Sequence, residues 1–130
     1  NPNLVKLSLT RCRLRADDID RLSRVLMKKS SGTLEELDLS HNRFGHVSYE
    51  KLVLALNRIK SVKRLKLRNT GVAENGVASL TKLLKSKSSP LEQLDLTNNS
   101  INATAATILI DSLENNNKYL YSMHSKSSWL

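Results

Sequence analysis

Three histidines, one cysteine and a surplus of basic side chains are the residues through which this chain could do chemistry. His41, His46 and His124 stand in no metal-ligand spacing with Cys12 or with a carboxylate cluster, so they predict no metal centre. No glycine-rich phosphate loop is present, because Gly71 and Gly76 fall in a turn between other signals. No Ser, His and Asp set can be picked out either. Catalysis finds no support, no cofactor is implied, and the expected class is non-enzymatic. Charge is the property left to explain. The chain carries 21 Lys and Arg against 12 Asp and Glu, a formal charge of +9, which directs attention to acidic partners.

The elements that must position those charges are set by a repeating frame. In Leu34-Glu-Glu-Leu-Asp-Leu-Ser-His-Asn-Arg-Phe44 the apolar residues Leu34, Leu37, Leu39 and Phe44 flank Asn42. Counted from its first apolar residue, the frame recurs at Leu4, Val62, Leu91 and Leu120, in steps of 30, 28, 29 and 29 residues. A period of that size marks a solenoid. The second half of each unit has helical spacing. Offset 15 holds Ile19, Tyr49, Val77 and Ala106; offset 18 holds Leu22, Leu52, Leu80 and Leu109; offset 22 holds Leu26, Leu56, Leu84 and Leu113. Apolar residues three and four apart are a helix's buried stripe, and in the first unit that stripe includes Val25. Asp17 and Asp18 fall where a cap and a first-turn acid belong.

This pattern resembles the leucine-rich repeats of the ribonuclease-inhibitor type, whose units run strand, turn, helix and return loop. The resemblance covers nearly the whole chain. It implies an α/β solenoid, a right-handed β-α superhelix with a parallel sheet on the concave side and helices on the convex side. Four full repeats and a degenerate fifth strand are expected, in which Ser125 and Ser128 stand for the third leucine and the asparagine, and Trp129 and Leu130 lie beside the end. The expected domain is 1–130, a single unit and part of a longer chain. In such relatives the asparagine at offset 8 bonds turn backbone. That column here is Cys12, Asn42, Thr70 and Asn99, with Cys12 expected as a small buried substitute.

Offsets 2, 4 and 6 should face outward along the strands. They hold Lys6, Ser8 and Thr10; Glu36, Asp38 and Ser40; Arg64, Lys66 and Arg68; Gln93, Asp95 and Thr97; and, in the fifth strand, Ser122, His124 and Lys126. The signs alternate from repeat to repeat, so Glu36 should lie beside Arg64, and Lys66 between Asp38 and Asp95, each pair contributing about 0.2–1 kcal/mol. Lysines at helix ends, among them Lys28, Lys82 and Lys85, offset the helix dipole. A second basic group, Arg11, Arg13, Arg15, Arg43 and Arg68, follows the strands as a rim.

The reading that results is a protein-interaction module. Its candidate partner-binding residues are Glu36, Asp38, Arg64, Lys66, Arg68 and Asp95 on the strands, with Arg11 and Arg43 on the rim. The expected partner is a protein with an acidic surface. Scarce aromatics, 4% of the chain, and the lack of any base-reading motif argue against nucleic acid. There are two alternatives: a regulator of an enzyme, such as the GTPase-activating protein of the Ran type that the resemblance includes, and a segment of a larger assembly, whose marker would be an apolar end surface at Leu4, Val5 and Leu7 or at Trp129 and Leu130. No apolar run approaches the roughly 18 residues of a membrane span. The lone thiol fits a reducing, intracellular setting. Two glycosylation triplets, Asn98-Asn99-Ser100 and Asn102-Ala103-Thr104, lie in asparagine-rich turns that the repeat itself generates.

Overall fold

The computed structural model describes residues 3–29, 32–114 and 123–124. Strands and helices alternate in chain order: β1 (Lys6–Ser8), α1 (Ala16–Lys29), β2 (Glu36–Asp38), α2 (His46–Ile59), β3 (Arg64–Lys66), α3 (Glu74–Lys85), β4 (Gln93–Asp95), α4 (Ala103–Glu114) and β5 (Met123–His124). All five strands form one parallel sheet in sequence order. Leu7, Leu37, Leu65, Leu94 and Met123 are in register across it. The expected repeat frame and its register are therefore the observed ones. The fifth-strand residues Leu120, Ser122, Ser125, Lys126, Ser128, Trp129 and Leu130 lie outside the described residues.

Each strand is only a few residues long because the unit is two-layered: apolar offsets turn towards the helix, and the chain then leaves for the turn. Leu34, Leu37, Leu39, Leu65 and Leu67 are fully buried, and Leu91, Leu94 and Leu96 nearly so. Each helix packs on the next, α1 on α2, α2 on α3 and α3 on α4. Helices pack about 8–10 Å apart, whereas strands repeat every 4.8 Å or so, and that mismatch bends the stack with the sheet inside.

The first repeat differs from the others. Leu4, Leu7, Leu9, Leu14 and Leu22 are only partly buried, because no earlier layer covers them among the described residues. Val25, expected on the buried stripe, is 53% exposed. Its offset, 21, lies one step round the helix from the packed Leu26. Asp17 and Asp18 both sit in the first turn of α1. There the Asp18 carboxylate accepts the Arg15 N–H at 2.9 Å, half of a capping box, so the cap position itself falls to Arg15.

Candidate functional site

The turns after the strands are held by a column of asparagines. Asn42 accepts the N–H groups of Cys12 and Leu14, each at 3.0 Å. Its amide donates to the carbonyls of Leu9, Leu39 and Ser40 at 2.9, 2.9 and 3.2 Å. Asn99 repeats the arrangement one interval on, accepting from Thr70 and Val72 at 3.0 Å and donating to Leu67, Leu96 and Thr97. One side chain thus satisfies backbone groups of two neighbouring turns, which would otherwise be buried without partners.

Between those two rungs stands Thr70, too short to span the gap. Tyr49 supplies the missing reach. Its hydroxyl lies 3.0 Å from both the Thr70 carbonyl and Thr70 Oγ1, and Thr70 Oγ1 donates to the Leu67 carbonyl. Burial pushes the Tyr49 hydroxyl up to about 12, so it stays neutral and able to donate. Its ring fits because residue 76 is glycine: a Cβ there would stand 3.0 and 3.1 Å from two ring carbons. The sequence carried this signal as a tyrosine where the other repeats have Ile, Val and Ala, but only contact shows what the larger side chain is for.

Cys12 is exposed rather than buried. Its N–H is held by Asn42, and its thiol donates to the Thr10 carbonyl at 3.4 Å.

The strand face is an ionic mesh. Glu36 Oε1 accepts Arg64 Nε at 2.8 Å, and Glu36 Oε2 meets Lys6 Nζ at 3.4 Å and Lys66 Nζ at 3.7 Å. Although outward-facing, Glu36 is only 7% exposed, covered by the cations bound to it. Arg64 foremost, then Lys66 and Lys6, hold its carboxyl below the ordinary value of 4.5 in spite of burial. Lys66 does lie opposite both Asp38 and Asp95 in backbone register, yet its ion pair runs diagonally to Glu36.

The two aspartates serve the backbone. Asp38 Oδ1 accepts the Ser40 N–H, and Asp95 Oδ1 accepts the N–H and hydroxyl of Thr97. The other Asp95 oxygen pairs with Arg68 Nε. Asp95 is 1% exposed, and its carboxylate raises the Arg68 pKa further above its already high value. Glu36, Arg64, Lys66, Arg68 and Asp95 are thus brought together as one surface of mixed charge, with Asp38 beside Lys66 in the same sheet.

Arg11 and Arg43 lie elsewhere, on the rim, and both are exposed. The turn backbone there follows a rule that spacing alone did not reveal. Offset 7 is left-handed in every full repeat: Arg11 at φ 56°, His41 at 61°, Asn69 at 50° and Asn98 at 59°. Offset 9 is left-handed at Arg13, φ 55°, and at Gly71, φ 80°. The asparagines at 69 and 98 were the available clue, since Asn tolerates this region. They also explain one glycosylation triplet as turn chemistry. The other belongs to a helix start, where Asn102 Oδ1 accepts the Ala105 N–H at 2.8 Å.

Among the described residues no group of three or more His, Cys, Asp and Glu could hold a metal ion, and no helix is long and apolar enough to cross a membrane. The Leucine Rich repeat family profile matches residues 31–47, the stretch that contains β2 and Asn42. The chain is 35% identical over 107 residues to NACHT, LRR and PYD domains-containing protein 5 of Bos taurus, a match covering 82% of this chain and 10% of that protein. The chain therefore spans about a tenth of that relative's length. Five parallel strands in register, four outer helices, the asparagine-held turns and these two matches together establish the chain as a leucine-rich repeat protein.

Proposed function

We propose that this chain is a non-enzymatic protein-interaction module that presents its strand face and post-strand rim to a protein partner with an acidic surface. The observation that carries the reading is the pre-ordering of that surface. Glu36, Arg64, Lys66 and Lys6 hold one another, Arg68 is held by Asp95, and the rim backbone is held by Asn42 and Asn99. A partner meeting side chains already fixed in place loses less conformational freedom on binding. The relative is named for its leucine-rich repeats, and stacked repeats expose extended surfaces of this kind.

The test uses the chain immobilised in native extract, with cross-linking to locate the contact. Cross-links from a retained protein should fall on the strands and rim, and Arg43→Glu should lower retention several-fold with no change in melting temperature. Cross-links confined to the outer helix faces would refute the reading. A second reading, a segment within a larger stack, is favoured by the half-buried leucines of the first repeat. It expects a tight contact through Leu7, Leu9 and Leu22 instead.

A further inference from the structure

We infer that the rim of the first two repeats is a docking site for an extended, carboxylate-rich protein segment, gripped by Arg11, Arg13 and Arg43. The inference rests on the interaction reading above and narrows it to one place and one partner chemistry.

Three observations meet there. The first is that these arginines are spare. All three are exposed, and none pairs with an acid among the described residues, whereas Lys6, Arg64, Lys66 and Arg68 on the strand face are all paired. The nearest acids along the chain are Asp17 and Asp18 for Arg11 and Arg13, and Asp38 for Arg43; the Asp18 carboxylate is turned to the Arg15 N–H and the Asp38 carboxylate to the Ser40 N–H.

The second is that two of them occupy backbone that the fold would fill more easily otherwise. Arg11 and Arg13 both have left-handed φ, 56° and 55°. At the same offsets the third repeat uses Asn69 and Gly71, residue types that accept that conformation readily. Strain kept where an easier residue serves elsewhere in the same molecule points to a task for the side chain.

The third is that one side chain assembles the group. Asn42 binds the N–H groups of Cys12 and Leu14, which flank Arg13, and Arg43 follows Asn42 directly. The Arg11 N–H is tied to the Ser40 carbonyl at 3.2 Å. The three guanidinium groups therefore rise from backbone that is cross-bonded on both sides.

Guanidinium is the group that binds carboxylate with paired, directed hydrogen bonds. Single-stranded nucleic acid would need a stacking platform as well. Among the described residues the aromatic rings, Phe44 at 2% and Tyr49 at 1% exposure, are buried. A run of Asp or Glu along a partner's surface fits better.

The experiment is fluorescence anisotropy with a labelled peptide of alternating Glu and Ser, its Gln-for-Glu counterpart, and a single-stranded RNA of matched charge. The chain should bind the Glu peptide, with affinity falling as salt rises, and bind the other two at least about tenfold more weakly. Arg11→Asn with Arg13→Gly, the residues of the third repeat, should abolish Glu-peptide binding while circular dichroism stays unchanged and the melting temperature does not fall. Lys82→Ala, an exposed cation of α3 away from the rim, should leave that binding intact. No Glu-peptide binding by the parent chain, equal binding by the Asn/Gly variant, or preference for RNA would each overturn the rim assignment. None of these bears on whether cross-links from a retained protein reach the strand face, so the broader reading stands or falls separately.

Discussion

Lys6, Arg64, Lys66 and Arg68 on the strand face and Arg11, Arg13 and Arg43 on the rim look alike in a charge count, yet the structure treats them differently. The strand-face cations are absorbed by Glu36 and Asp95, acids 7% and 1% exposed. The rim arginines have no acid among the described residues. Sheet geometry accounts for the difference. Strands about 4.8 Å apart bring side chains of adjacent repeats into a ladder, so alternating signs find each other. Rim side chains leave from turns, diverge from the sheet and project into water. A basic surplus of +9 is thus spread unevenly: the strand face offsets its own cations, and the turns beside it do not.

The largest effect should come from removing the support that the two regions share. Asn42→Ala leaves the Cys12 and Leu14 N–H groups and three carbonyls without their bonds, and should cost about 3 kcal/mol in urea unfolding. If it costs no more than a surface substitution, the rim is not held in the way described. Next comes the contrast itself. Arg68→Ala leaves the buried Asp95 without its cation and should cost about 2 kcal/mol, while Arg43→Ala should stay within about 0.5 kcal/mol. Equal losses would erase the distinction between structural and spare cations.

Acid sharpens the comparison in a third way. The Glu36 pKa is lowered in the folded state, mainly by Arg64, so its contribution is present above the ordinary value of 4.5 and is lost as the pH falls through the lowered one. Urea midpoints followed from about pH 6 to about pH 3 should fall more steeply for the parent chain than for Glu36→Gln. Parallel curves would mean that the mesh contributes nothing. The smallest effect is expected from Arg11→Asn with Arg13→Gly, which should leave stability unchanged or raised by no more than about 1 kcal/mol, since strain relief and glycine's added freedom oppose each other. A clear loss would show that the arginines serve the fold.

Much of this architecture could be read from residue spacing. Leucines at fixed offsets located every strand, and Leu52, Leu80 and Leu109 located the helix faces, because burial in a stacked repeat selects the same positions in each layer. The candidate site was only half legible. Glu36 beside Arg64 followed from register alone. The pairing of Lys66 with Glu36, and of Arg68 with Asp95, did not, because a long flexible side chain can reach diagonally and backbone register does not say which acid it will choose. The missed left-handed ladder at Arg11, His41, Asn69 and Asn98 shows the same limit, since a turn's φ is imposed by its neighbours as much as by its own residue type.

The amino-acid order alone determined the period, the indoor and outdoor faces, and the alternation of charge, since each follows from chemistry repeated along the chain. Only the tertiary structure decided that Cys12 is exposed, that Tyr49 bridges to Thr70 over Gly76, and which of the described arginines pair with an acid. Those outcomes depend on what stands in the adjoining layer, about thirty residues away in the chain and one strand spacing away in space.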